Sequence, residues 1–433
     1  MGGTTFSKKT IKDVSLKGKV VLLRADYNVP LEGNRITDDY RIKKSLPTVK
    51  YLIEKGARVV ICSHMGRPKG KDDTSLSLEP VAKRLGERLN KKVYFAKDCV
   101  SDEAKKRMAE LENGQVILLE NLRYYSEEEA NDDHFAARLA EGTDLFVQDG
   151  FGVVHRAHAS TEAITKHIPS VAGLLLEAEV TAIQAAMLRS QRPLMALIGG
   201  AKISYKIELL NRFIDIADIV AVGGAMSNTM LLAEGIKVGE SLAEPEDIAL
   251  ARQIISKARA KAKKGNFVFY IPQDGVVAKE IEPNTVTRIV DWGTHIIADI
   301  ESYPRQPTKE SSLVATDEKI LDIGPFSGAF IAGCMQLAGT VIWNGAMGVT
   351  EVKALQTATG PFSHGTELIV EAMLGQFGHR PHTLVGGGDT VGYIESRGLV
   401  DHFDHVSTGG GASMELMSGK PLPGVEALLD KNK

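Results

Sequence analysis

The sequence predicts an α/β protein of two lobes, each a parallel sheet covered by helices, joined by one long helix. Three observations predict it. Short apolar runs alternate with amphipathic stretches along both halves of the chain, which is the pattern of repeated βα units. Residues 173–189, GLLLEAEVTAIQAAMLR, hold no proline and few β-branched residues, so they read as one helix between two such series. Many apolar runs end in glycines. The densest such turn is TLVGGGDT at 383–390.

The elements follow in order. Residues 19–27 (KVVLLRADY) read as a strand. Residues 39–55 carry Ile42, Leu46, Val49 and Ile53 at helical spacing. Strand 57–64, a helix around 78–89, strand 92–96, a helix at 102–111, strand 115–120, a helix around 127–139 and strand 145–149 complete the first series. After the long helix, Pro193 opens strand PLMALIGG, followed by helix 201–214 and strand 218–224. Helices around 225–234 and 246–264, strand 267–273 and a more β-rich insert at 285–293 come next. Strand KILDIG (319–324), a helix, strand TVIWNG (340–345), a helix around 364–376, strand TLVGGG and strand HVSTGG (405–410) close the second series. The tail PLPGVEALL (421–429) is apolar enough to dock.

The 433 residues suffice for two to three domains and carry 43% hydrophobic and 25% charged residues, with net charge -3. That balance excludes bulk electrostatic attraction to nucleic acid, and aromatic residues for base stacking are few. An anion site must therefore be a local cluster. Cys62, Cys99 and Cys334 are odd in number and lack metal spacing, so inert thiols in a reducing compartment are expected. The first residues lack the apolar core of a signal peptide, and Phe6 stands where an acylation motif needs Ser or Thr. No apolar run reaches the ~18 residues of a membrane span. The expectation is a cytoplasmic protein without membrane or nucleic-acid partners.

Ligands of parallel α/β sheets bind outside the carboxyl ends of the strands. In the first lobe those ends carry Arg24, Asp26 and Asn28; His64 and Arg67; Asn121 and Arg123; and Asp149 with His155, Arg156 and His158. Arg41 follows the loop TDD in the first turn of a helix. Guanidinium forks match phosphate and carboxylate oxygens. Each arginine alone has a nearby acid to pair with, such as Asp38, Asp39 or Glu120. Together they imply a pocket for a small molecule with more than one anionic group. The histidines read as orienting groups and show no metal-type spacing.

In the second lobe the strand ends carry glycines. Gly199-Gly200 precede Lys202 and Lys206, which are four apart and would share a helix face near its N-terminus. The dipole opposes cations there, so that placement argues for a bound anion. Gly386–Gly388, Gly223-Gly224 and Gly409–Gly411 are further turns whose backbone N–H groups are unobstructed. Asp389 beside such a turn makes sense with a divalent cation between it and a phosphate. In WNGAMGVTE, Glu351 could accept bonds from ribose hydroxyls. No GxxxxGK[ST] occurs, and Val391 replaces the third glycine of GxGxxG, so P-loop NTPase and dinucleotide readings fail.

The segments RADYNVP, SHMGRP, LENLRYY, DGFGVVHRAHAS, GGAKIS, LDIGP, WNGAMGV, GGGDT and STGGGASMELMSGKPLPGV, in this order along nearly the whole chain, resemble the phosphoglycerate kinase family. The resemblance implies two Rossmann-like lobes. It places 3-phosphoglycerate or 1,3-bisphosphoglycerate on residues 1–172, a hinge helix at 173–190, Mg-ADP or Mg-ATP on residues 191–410, and a tail at 411–433 packing back on the first lobe. It assigns the acid substrate to Asp26, Asn28, Arg41, His64, Arg67, Arg123 and Arg156. Arg41 and Lys202 would stabilise the phosphoryl group in flight, with backbone N–H groups of Gly388 and Gly411 close by. Lys206, Asn344, Gly387 and Thr390 would hold nucleotide phosphates, Asp389 Mg²⁺, Glu351 the ribose, and Ile320 would stand in the adenine pocket. A monomer that closes on its substrates is expected.

Departures from the family pattern gather in the nucleotide lobe. Tyr205 replaces an aspartate, Ile320 a glycine, Ala346 a proline and Thr350 an aromatic residue, and AMSNTM follows Gly224 where an aromatic-containing stretch is usual. They raise two alternatives: altered base preference, or a degenerate paralogue that binds 3-phosphoglycerate and uses nucleotide weakly.

Overall fold

The computed structural model describes residues 6–70, 73–292, 313–353 and 359–432. The chain forms two compact units: one runs through Ala182 and takes in the chain from Lys420 on, the other spans Ile183–Gly419.

The first unit is built on six parallel strands: β1 Val20–Arg24, then, after a hairpin of β2 Leu31–Glu32 and β3 Arg35–Ile36, β4 Arg58–Cys62, β5 Val93–Ala96, β6 Val116–Leu119, β7 Leu145–Gln148 and β8 Ser170–Ala172. Their order is β5-β6-β4-β1-β7-β8. Alternation of side chains splits the core into two layers. Val21, Leu23, Val59 and Ile61 pack on one face with Ile42, Val49 and Leu52 of helix Tyr40–Glu54. Val20, Leu22, Val60 and Cys62 pack on the other with Phe135 and Leu139 of helix Asp133–Ala140. Burying each of these side chains stabilises the fold by about 1.5–3 kcal/mol.

The one helix expected around 127–139 is two, Ser126–Glu129 and Asp133–Ala140. Asn131 adopts φ 55°, and the Asp132 carboxylate accepts from Phe135 N–H to start the second helix. The tail returns to this unit. Leu422, Val425 and Leu428 are buried, and Leu429 N–H donates to Ser170 O while Lys9 N–H donates to Leu429 O.

The second unit holds β9 Leu194–Ile198, β10 Ile219–Val222, β11 Val268–Tyr270, β12 Asp274–Ala278, β13 Arg288–Asp291, β14 Lys319–Ile323, β15 Thr340–Asn344, β16 His382–Gly386 and β17 His405–Val406. Six are parallel, in the order β11-β10-β9-β15-β16-β17. β14, expected as one more parallel strand, instead joins β12 and β13 in a separate antiparallel sheet ordered β13-β12-β14. Helix Leu174–Leu188 crosses the division between the units. None of the three cysteines forms a disulfide among the described residues, and burial pushes the Cys62 thiol up to about 12.

Candidate functional site

The carboxyl edge of the first sheet gathers the predicted cations. Arg41, in the first turn of its helix, donates from Nη1 to Asp26 Oδ2 at 2.8 Å. Asn28 Oδ1 accepts from Gly66 N–H at 2.9 Å, which ties the loop after β1 to the loop after β4. Arg123 donates to Gly66 O at 2.7 Å and lies 3.2 Å from Glu129. Arg156 donates to His155 Nε2 at 3.2 Å, and Arg67 is exposed. Neither Arg67 nor Arg156 forms an ion pair among the described residues. The acids that could have neutralised the cluster are engaged elsewhere. Asp39 pairs with Lys43 and Arg88, and Glu120 accepts from Ser77 Oγ, Leu78 N–H and Asn121 N–H.

The histidines are held neutral. Burial and then the Arg24, Arg123 and Arg41 charges push the buried His64 imidazole far below its ordinary range. Burial first and neighbouring arginines second pull His155 and His158 down to about 4. Neutral imidazoles among guanidinium groups can donate hydrogen bonds to oxyanions, and they are poor proton donors at neutral pH.

One supporting pair escaped the sequence reading. Glu128 is buried beneath the arginines, 3.9 Å from Arg24 Nη2, and accepts from Ser160 N–H at 2.9 Å and from Ser160 Oγ. Arg24 is itself buried, donating from Nε to Ser160 Oγ at 2.7 Å. Glu128 stands in a run of three glutamates that looks like a solvated helix face. The only signal was the RAHAS stretch that places Ser160 against it.

In the second unit the glycine turns converge at the carboxyl edge of the six-stranded sheet. A Cβ on Gly199 would lie 2.1 Å from Ala346 O, and one on Gly224, itself at φ 64°, would lie 2.6 Å from Gly200 N. The turns after β9, β10 and β15 thus touch through backbone alone. Gly387, at φ 95°, starts helix Gly388–Ser396, and a Cβ on Gly410 would lie 3.6 Å from Gly388 N. Two helix N-termini, Gly388–Ser396 and Gly410–Met417, therefore meet, with Gly388 and Gly411 in their first turns. Their unpaired N–H groups and dipoles favour an anion there.

Lys202 and Lys206 are not on a helix, contrary to expectation: 201–206 is a loop, and the helix runs Ile207–Ile216. Glu244 explains the difference. Its carboxylate accepts from Ile203 N–H at 2.6 Å and from Ser204 Oγ at 2.9 Å, pulling the loop out of helical geometry. Nothing near Glu244 in the sequence marks it for that task. Lys206 sits at the N-cap, and its ammonium donates to Gly199 O at 2.6 Å, Asn344 O at 3.0 Å and Asn344 Oδ1 at 2.8 Å. Burial lowers it to about 8, against the opposing pull of Asp389. Lys202 is exposed, its Nζ 5.7 Å from the ring centroid of Tyr205.

Asn344 spends its side-chain oxygen on Lys206, while its Nδ2 is buried without an acceptor among the described residues. That nitrogen lies beside the Gly386-Gly387 turn. Thr390 is fully buried, and its hydroxyl accepts from Gly345 N–H at 2.8 Å, fastening two glycine turns together. Asp389 is exposed in the first turn of its helix, with no hydrogen bond or ion pair among the described residues. Asp389 lines a cleft of about 430 Å³ that also takes in Gly200, Gly224, Glu351, Ile320, Leu242 and Trp292. A carboxylate without a partner among the described residues, next to oxyanion-binding N–H groups, fits Mg²⁺ carried in on phosphates, since that ion keeps several waters and few protein ligands. No group of three metal-ligating side chains occurs among the described residues.

Comparison with known proteins agrees with this arrangement. Residues 11–420 match the family model described as "Phosphoglycerate kinase". The phosphoglycerate kinase of Pelotomaculum thermopropionicum is 42% identical over 426 residues, covering 98% of this chain and 100% of that protein. That of Dictyoglomus turgidum is 43% identical over 429 residues, covering 98% and 100%. Among solved structures, phosphoglycerate kinase from Coxiella burnetii superposes with a TM-score of 0.78 at 36% identity, covering 97% of this chain and 98% of that one. The enzyme from Pyrococcus horikoshii gives 0.80 at 27% identity, with the same coverage.

Proposed function

The chain belongs to the phosphoglycerate kinase family, and from that premise we propose how its residues divide the work. The reaction is reversible phosphoryl transfer from 1,3-bisphosphoglycerate to ADP, giving 3-phosphoglycerate and ATP, a glycolytic step of a phosphotransferase with a carboxyl acceptor. Nothing in the comparisons favours the degenerate paralogue.

Arg41, Arg67, Arg123 and Arg156, with His64, Asp26 and Asn28, hold the phosphate and carboxylate of the acid. Two of these guanidinium groups having no carboxylate partner supports that assignment. Lys206, Gly387, Gly388 and the Nδ2 of Asn344 take the nucleotide phosphates. The observation that carries this half is the buried, acceptorless Nδ2 beside a glycine turn, because such a group is costly unless a ligand oxygen completes it. Thr390 holds the turn and reaches the phosphates from behind it, and Glu351 takes the ribose.

In the forward direction an ADP β-phosphate oxygen attacks the acyl-phosphate phosphorus, a P–O bond forms, and the P–O bond to the acyl oxygen breaks. The leaving group is a carboxylate and needs no proton, so neutral histidines are no handicap. What is required is positioning and charge. Arg41, Lys202 and the N–H groups of Gly388 and Gly411 supply the charge around the moving PO₃ unit. Asp389 would hold Mg²⁺, which when bound neutralises phosphate charge. The two half-sites belong to different units, so turnover includes their closure about helix Leu174–Leu188 with water excluded. A cytoplasmic monomer fits a glycolytic enzyme. The test is a coupled assay with 1,3-bisphosphoglycerate, ADP and titrated Mg²⁺. Turnover that saturates in all three supports the assignment, and binding of 3-phosphoglycerate without turnover sinks it.

A further inference from the structure

We infer that Glu240 and Lys319 read the edge of the nucleobase and favour guanine over adenine; this rests on the nucleotide reading of the cleft above. Away from Asp389 and Gly200, the cleft is walled by Leu242, Ile281, Trp292 and Ile320. Leu242 and Ile281 are large apolar side chains left 59% and 48% exposed, as expected of walls that a flat apolar ligand covers. Gly275 lets two walls meet. A Cβ there would lie 2.9 Å from Trp292 Cη2 and 3.0 Å from Ile320 Cγ2. Trp292 is fixed by its Nε1–H donating to Pro272 O at 2.8 Å.

Beside this slot stands a charged pair. Lys319 precedes Ile320, and its ammonium donates to Glu240 Oε2 at 3.0 Å and to Lys279 O at 2.7 Å. Glu240 is two residues from Leu242, and both charged residues line the cleft. Ile320 N–H donates to Ser241 Oγ at 2.8 Å, which locks the strand carrying Lys319 to the loop carrying Glu240. The pair is thus held at a fixed place on the rim, with about three lone-pair sites on the two Glu240 oxygens and one ammonium proton left to offer.

A purine has apolar faces and a hydrogen-bonding edge. Guanine presents a carbonyl at C6 and two parallel N–H donors, N1–H and the 2-amino group. A carboxylate accepts those two donors side by side, as it accepts a guanidinium fork, and an ammonium donates to the carbonyl. Adenine presents one amino group and one unprotonated ring nitrogen, so it can make one bond to each partner. Guanine gains a third bond, and the gain comes from its 2-amino group. Where a site is built to bond a polar group, the analogue without it is disfavoured because the site's own groups are left unpaired.

The experiment is equilibrium binding of ADP, GDP and IDP to the intact chain, alongside Glu240→Gln and Lys319→Met. Transfer from 1,3-bisphosphoglycerate is measured with each nucleotide in parallel. The expected result is GDP bound about five- to ten-fold tighter than ADP, with IDP, which lacks the 2-amino group, close to ADP. Glu240→Gln should bring GDP down to ADP, and Lys319→Met should weaken GDP, IDP and ADP together, since each base takes one bond from the ammonium. Glu240→Gln removes a partly exposed ion pair, Lys319→Met that pair and one exposed bond to Lys279 O, and both should melt within a few degrees of the parent chain. ADP bound as tightly as GDP, or a GDP preference unmoved in both variants, overturns the inference while leaving the kinase reading intact. If no nucleotide binds and none supports transfer, the nucleotide reading of the cleft falls, and the base inference with it.

Discussion

The Lys206 ammonium sits 2.8 Å from the Asn344 side-chain oxygen and 2.6 Å from Gly199 O, so one buried cation joins the turns after β9 and β15. Three neutral oxygens only partly replace water around it. Its proton affinity falls to about 8 as a result.

That value sets a pH dependence for nucleotide binding. Phosphates added beside Lys206 raise its proton affinity, so ADP binding should take up a proton above pH 8 and weaken as pH rises further. Below pH 8 the lysine is already charged and uptake at this site should vanish. Calorimetry of ADP binding in two buffers of different ionisation enthalpy measures it. The stability linkage has the matching sign. Between pH 8 and the ordinary lysine range the unfolded chain holds the extra proton, so the folded state gains stability as pH rises there.

On the acid side two depressed histidines give the same sign. His155 and His158 titrate near 4 when folded and near their ordinary 6.5 when unfolded. Folding stability should therefore fall as pH drops from 6.5 towards 4. Binding of 3-phosphoglycerate at pH 5 should take up protons, because the incoming phosphate raises both groups. Proton uptake by calorimetry and a melting series over that range check both statements.

Two substitutions separate positioning from charge. Arg41→Ala removes a guanidinium held by Asp26 and should lower turnover by about 10²–10³-fold while leaving ADP affinity nearly unchanged. Lys202→Ala should cost a similar factor in turnover with little effect on stability, since its side chain is exposed. Steady-state rates beside ADP binding constants make the comparison.

Tyr205 is 76% exposed, and its contact with the Lys202 ammonium is worth about 0.5–1 kcal/mol. Tyr205→Asp restores the carboxylate that the family pattern carries at this position. It should tighten Mn²⁺ binding to the ADP complex, read by the loss of free-ion spectroscopic signal, without changing ADP affinity in the absence of metal.

Much of this site could be read before any coordinates. The arginines after β1, β4 and β6 and the glycines after β9, β15 and β16 were visible because a parallel sheet sends its loops to one edge. The helix expected from 201 and the parallel role expected for β14 were not legible for physical reasons. Glu244, some forty residues away, unwinds the 201–206 loop through two hydrogen bonds. A strand's alternation is the same whether its neighbours run parallel or antiparallel, so Lys319–Ile323 carried no sign of its separate sheet. Glu128 was hidden because a glutamate among glutamates reads as solvated. Its burial with Arg24 implies that Glu128→Ala, which leaves the arginine unpaired, should destabilise the first unit by about 3–5 kcal/mol.

A crystal structure of the chain with 3-phosphoglycerate and ADP bound tests the assignment most directly. The account places the acid on Arg41, Arg67, Arg123 and Arg156, and the ADP phosphates on Lys206, Asn344 Nδ2 and the Gly387-Gly388 turn. Either ligand bound away from those groups would contradict it.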